Sequence, residues 1–219
     1  MIIYNTGTIM KQERVKQAES ILNSIPFKQC FITGSFLYKE TYNDIDVFVV
    51  SRSKKKFTPK NKKIDLQFID TNDLYSLFFH SISKCCVSKN ILLKKQIRTT
   101  IANYWNVVNE TLPDVSNEPE NIRKNVKQLI LFTEYFKTGR ILDTRELREH
   151  AKKFKDKKQV VEYIKINFPL SVKNKASINY LKRFFYTYAG FYKEALEYKG
   201  QREMYHLSHN VLHGVLKNG

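Results

Sequence analysis

The sequence has only three cysteines, Cys30, Cys85 and Cys86. An odd count with one adjacent pair is not a disulfide framework, and no C-x-x-C pair is present to begin a zinc site. The thiols therefore read as reduced, mostly buried side chains of a cytoplasmic protein. Long hydrophobic runs are also missing. The N-terminal "MIIYNTGTIMKQER" lacks the apolar core of a signal peptide. No stretch approaches the roughly 18–20 apolar residues of a membrane span, so no membrane partner is expected. There is no internal repeat and no low-complexity tail. Acidic side chains are the minority, 21 against 38 Lys and Arg, and the formal net charge is +17. Such a composition argues against a site built for cationic small molecules. It favours anionic partners, such as nucleic acid, nucleotides or an acidic surface.

What is present suffices for a core: 219 residues, 42% of them hydrophobic, enough for one large domain or two small ones. Residues 11–24, "KQERVKQAESILNS", have helical spacing and are followed by Pro26. Strands are expected at 28–33, 44–50 and 64–70 from their β-branched and aromatic content and from alternation. Residues 51–63, "SRSKKKFTPKNKK", read as a basic loop, and 71–86 as a helix capped by Thr71 or Asn72. From Asn90 onward the pattern is helical: about 90–109, 121–137, 143–153, 157–167, 174–197 and 201–216. Gly139 suits a helix C-terminus. The Pro-containing "ETLPDVSNEPEN", 110–121, reads as the domain boundary. The expected fold is α+β: a small mixed sheet with flanking helices in 1–110, then an all-helical C-terminal domain in 121–219.

The segment "FITGSFLYKETYNDIDVFVV", Phe31–Val50, sets Asp44 and Asp46 into an otherwise apolar strand. Buried charge is costly unless paired or coordinated. With a period of two, both acids project from one face, opposite Ile45 and Val47. Asp65 lies at the start of the next strand, with Leu66 and Phe68 on alternate positions. If the two strands are neighbours, Asp65 comes level with the pair, and three carboxylates converge. Mg²⁺ takes hard oxygen ligands of this kind and keeps substrate phosphates in its shell. The Gly34–Ser35 turn after a strand lets the backbone approach a phosphate closely. Taken singly, Asp44 could cap the turn and Asp65 could pair with Lys62 or Lys63. Together, after Gly-Ser and on consecutive strands, they read as equipment for metal-assisted phosphoryl chemistry.

"TGSFLYKETYNDIDVFVV" with the later "KIDLQF" resembles the DNA polymerase β-like nucleotidyltransferase superfamily, most of all its minimal and toxin-type members. The resemblance covers about residues 10–70. Gly34 and Ser35 match the Gly-Ser step, Asp44 and Asp46 the metal-binding pair, and Asp65 the third carboxylate. "FLYKE" stands where many minimal members have a basic step, and Lys39 is the candidate for that phosphate contact. The resemblance implies Mg²⁺, or Mn²⁺, held by Asp44, Asp46 and Asp65, with an NTP on Gly34, Ser35 and Lys39. Asp65 helps to activate the attacking group. It implies transfer of an NMP with release of pyrophosphate. The expected acceptor is RNA, a tRNA end among the candidates, as for several toxin-type relatives, and an antitoxin or other protein partner comes with that comparison. Transfer to a protein or small molecule is the alternative within the enzyme class. A non-catalytic nucleic-acid or nucleotide-binding module is the alternative outside it.

Two further patterns read more simply. His206, His209 and His213 share a helix face but have no partner Cys or Asp nearby, and packed or exposed histidines explain them better than zinc. In "NYLKRFFYTYAGFYKEALEYK", 179–199, Leu181, Phe184, Phe185, Tyr188 and Tyr192 fall at helical core spacing, although aromatics among cations also suit RNA.

Overall fold

The computed structural model describes residues 1–51, 57–91 and 96–168. The fold is α+β, as expected. Its described residues fall into two compact units: residues 1–98 with 141–146, and residues 99–140 with 147–168.

The first unit is built on five strands, β1 (Ile2–Asn5), β2 (Cys30–Thr33), β3 (Ile45–Val50), β4 (Ile64–Ile69) and β5 (Cys85–Lys89), in the order β1-β5-β2-β3-β4. The β3–β4 pair is parallel and the other pairs are antiparallel. Helix α1 (Gln12–Ser24) places Ala18 and Leu22 on one sheet face, with Ile32, Ile45, Val47, Val49 and Val87. The opposite face carries Phe31, Phe48 and Cys86, packed with Phe79 of helix α2 (Leu77–Ile82). Phe31 stacks on Phe48 at 5.1 Å, and Phe79 meets Phe48 edge-on at 5.3 Å. Pairs of this kind contribute about 0.5–1.5 kcal/mol each beyond the area they bury. All three cysteines are buried and free, and burial pushes the Cys30 thiol up to about 11 and Cys85 up to about 12. They are inert packing groups, as the sequence suggested.

Two strands depart from expectation. β1 falls in the N-terminal segment, and β5 occupies residues expected to end a helix. The 71–86 segment is instead a short 3-10 turn, then α2 capped by Ser76, whose hydroxyl accepts the Phe79 N–H, then β5. β5 lies between β1 and β2 and is buried along nearly its whole length, so it lacks the alternation that marks a half-exposed strand.

The second unit is helical throughout its described residues. Helix α3 (Ile101–Asn117) opens with a reciprocal Thr100–Asn103 capping box. Helices α4 (Ile122–Asn125), α5 (Lys127–Thr138), α6 (Thr144–Ala151, shared between the units) and α7 (Lys157–Asn167) follow. Tyr104, Trp105, Leu112, Leu129 and Phe168 form its interior, where the Tyr104 hydroxyl is hydrogen-bonded to Thr133. Gly139 closes α5 at φ +72°, its N–H donating to Tyr135 O at 2.8 Å. The division falls at Arg98/Thr99 and not in 110–121. Residues 110–117 continue α3 through Pro113, because Leu112 and Val115 are core positions. The expected start at about residue 90 also moves, to Ile101. The helices expected at 174–197 and 201–216, the aromatic segment 179–199 and the three histidines lie outside the described residues.

Residues 141–146 return to the first unit. The Ser81 hydroxyl donates to Leu142 O at 2.5 Å, and the Lys84 ammonium donates to Ile141 O at 2.5 Å. Asp143 accepts from the Thr8 hydroxyl at 3.2 Å and from the Arg145 and Glu146 N–H groups at 2.8 Å.

Candidate active site

The site forms where β2 ends and β3 and β4 begin. Thr33 is the cross-strand neighbour of Asp46. Its hydroxyl lies 2.7 Å from Ile82 O and 2.9 Å from Cys85 O, which ties down the end of β2. Gly34 follows at φ +87°, ψ −166°, a region that only glycine enters without strain. A Cβ at this position would also collide with Oδ2 of Asp46. The turn backbone therefore passes directly against the Asp46 carboxylate, and two independent constraints require glycine there.

A 3-10 turn, Ser35–Leu37, comes next. Its first N–H groups have no acceptor inside the turn, as at any helix start. Lys39 is exposed, with its N–H donated to Ser35 O at 2.9 Å. The connection to β3 is held to the start of α1. Lys11 donates its N–H to Leu37 O at 2.9 Å and ion-pairs through its ammonium with Glu40, and Arg14 donates to Glu40 O at 3.2 Å. Tyr42 has the Arg14 guanidinium 4.7 Å and the Lys63 ammonium 4.8 Å from its ring centroid, and meets Phe36 edge-on at 4.9 Å. Sequence spacing gave no hint of Tyr42, because its partners come from distant segments.

The expected register holds. β3 and β4 are parallel neighbours, and Asp46 is aligned with Asp65. Asp44, just before β3, is exposed, Asp46 is half-buried and Asp65 is exposed. Burial raises the Asp46 carboxyl from 3.8 to about 6, helped by the negative charges of Asp44 and then Asp65. The three acids are therefore electrostatic neighbours. Gln67, two residues along β4, donates to Asp65 Oδ2 at 2.8 Å. That contact was not anticipated, although the period of two already places Gln67 on the Asp65 face. The ammonium of Lys63 sits over Tyr42 and not on Asp65. Among the described residues none of the three carboxylates has an ion-pair partner, in a chain of net charge +17.

Three carboxylates offer hard oxygen atoms, whose chemistry suits Mg²⁺ or Mn²⁺. The negative charges of Asp44 and Asp65, which add to the effect of burial on Asp46, mark a place where added positive charge is favourable. The side chains are not drawn into a finished cage: among the described residues no group of three or more His, Cys, Asp or Glu stands close enough to hold a metal ion. Lys54, Lys55 and Lys56 of the basic loop lie outside the described residues. No described helix is long and apolar enough to cross a membrane. The chain matches no family model, no curated protein and no solved structure in the comparisons made.

Proposed function

We propose that the protein is a nucleotidyltransferase of the DNA polymerase β-like kind, moving an NMP from an NTP to an acceptor, with RNA as the acceptor class. The observation that carries this reading is the contact between the Gly34 turn and Asp46, with Asp44 and Asp65 beside it and, among the described residues, no cation paired to any of them. A turn built only to reverse the chain has no need to press its backbone against a carboxylate. A site for a cation-bound triphosphate needs both groups within reach of the same phosphates.

Asp44, Asp46 and Asp65 would hold Mg²⁺ or Mn²⁺, which when bound neutralises charge on the triphosphate and the leaving group. Gly34 keeps the phosphate approach free of side-chain bulk, and Ser35 offers a hydroxyl and an N–H beside it. Lys39 contributes a positive charge from the exposed side. The acceptor hydroxyl oxygen attacks the α-phosphorus, and a new P–O bond forms. The bond from that phosphorus to the bridging oxygen breaks, and pyrophosphate leaves with the electron pair. Asp65 takes the acceptor proton. Gln67 occupies its Oδ2, so Oδ1 is the receiving atom.

A second reading, a nucleotide-binding module without catalysis, draws on one observation: the carboxylates are not gathered into a closed coordinating group. One experiment separates the two. The protein is incubated with each α-labelled NTP, Mg²⁺ and total cellular RNA. Transfer predicts labelled RNA and released pyrophosphate, both lost in Asp44→Ala and Asp46→Ala. Full activity of either variant would overturn the assignment, and nucleotide binding without any labelled product would favour the module.

A further inference from the structure

The turn from α6 to α7, "KKFKDKK", carries five lysines and one acid within residues 152–158, all of them exposed except Phe154. A charge run is ordinarily a solvated face, but this one is held rigidly. Phe154 is buried and meets Tyr163 of α7 edge-on at 5.1 Å. Asp156 caps α7, accepting the Gln159 N–H at 2.9 Å, and the Gln159 side chain accepts the Lys155 N–H at 2.8 Å. The only acid of the run is thus committed to the backbone. Lys152 pairs with Glu149 at 2.6 Å, and the Lys153 ammonium lies 4.9 Å from the Tyr163 ring centroid.

Lys155, Lys157 and Lys158 remain. Among the described residues none of them has an acidic partner. Lys157 and Lys158 occupy the first turn of α7, where the helix dipole disfavours cations. Two of these charges therefore oppose the helix dipole at the end of α7 that carries them. A fixed, unneutralised array of this kind is complementary to an external polyanion.

We infer that this turn is a docking surface for the sugar-phosphate backbone of RNA. Cations on a rigid turn read charge and not base edges, so binding is independent of sequence. No apolar side chain is exposed in the turn, whereas a membrane-surface element needs an apolar face to insert. The inference rests on the proposed function in one respect only, the choice of RNA as the polymer. It requires no catalysis.

The test is the affinity of a labelled single-stranded oligoribonucleotide, measured across salt concentrations with no NTP or divalent metal. The full chain is compared with the triple variant Lys155→Gln, Lys157→Gln, Lys158→Gln and with the matching triple Arg variant. Each lost phosphate contact should flatten the log–log salt slope by about 0.7, hence by about 2 for the triple change. Affinity near 100 mM salt should fall by about tenfold or more. The Arg variant should bind as the wild type does. The melting temperature of the Gln variant should be unchanged or higher, since two cations leave a helix N-terminus. An unchanged slope in a folded Gln variant would overturn the inference. So would binding to anionic lipid vesicles or to DNA of equal length with none to RNA. Loss of binding in the variant, in a protein that transfers no nucleotide, would uphold this surface while the proposed function failed.

Discussion

Two regions lie on one face of the same sheet, a single pleat repeat apart. At Phe48 the face is dry and aromatic, stacked on Phe31 and closed by Phe79. At Asp46, two residues earlier, it carries a carboxylate raised to about 6, flanked by two more. The aromatic end is what folding wants, with each ring covered by another. The acidic end is what folding resists: like charges gathered with no cation among the described residues and a glycine-only turn at Gly34 pressed against one of them. Stability and function therefore separate along one strand, and substitutions two residues apart should move stability in opposite directions.

The largest effect is expected at the aromatic end. Phe48→Ala removes a nearly fully buried ring from between Phe31 and Phe79 and should cost about 3–5 kcal/mol in chemical denaturation. A cost below about 1 kcal/mol would break the contrast, because the core of this face would then lie elsewhere. Gly34→Ala is next. Forcing a Cβ into a glycine-only conformation costs about 1–3 kcal/mol, and the collision with Asp46 adds to it. Nucleotide affinity should fall in the same variant. Ser35→Ala, which meets neither constraint, should lower affinity with little change in stability, and equal losses at both positions would mean the turn is merely structural.

The acidic end should respond in the other direction, and more weakly. An acid whose pKa is higher in the folded chain than in the unfolded one takes stability away as it ionises. Between its ordinary value near 4 and about 6 the folded chain holds more protons than the unfolded chain. Stability should therefore fall as pH rises through that window. Asp46→Asn should match the wild type near pH 4 and melt at a higher temperature above pH 6. Asp44→Asn and Asp65→Asn should give the smallest gains, acting through a lowered Asp46 carboxyl, with Asp44 the larger because its charge contributes more. Thermal melts of the four proteins from pH 4 to pH 8 test the whole series. A wild type more stable than Asp46→Asn at pH 8 would mean that Asp46 has a stabilising partner.

Much of this site could be read from residues alone. Alternation in "DIDVFVV" and "IDLQFID" fixed which side chains share a face, and the alignment of Asp46 with Asp65 followed once the strands were neighbours. β5 was hidden because a strand buried on both faces loses the period of two, and the preceding apolar residues do form a helix. The unit boundary was misread because Pro113 looked like a breaker, whereas burial of Leu112 and Val115 carries α3 past it. The two cations on Tyr42 come from segments far apart in the chain, and no local pattern encodes them; the Gly-Ser turn and the Asp-x-Asp strand read as one site, but the direct contact of Gly34 with Asp46 follows only from the strand pairing.

The carboxylate group is proposed to take a divalent cation together with a nucleotide. Calorimetric titration with Mn²⁺ or Mg²⁺ plus a non-hydrolysable NTP near pH 6, in buffers of different ionisation enthalpy, tests it most directly. An acid with a value of about 6 is half-protonated at that pH, so binding should release about half a proton per site, falling towards none at pH 8. Asp46→Asn should weaken binding and remove the part of the release that Asp46 contributes, leaving only that of the nucleotide's own terminal phosphate. Binding with no proton release at pH 6, or with the same release in Asp46→Asn, would contradict the account.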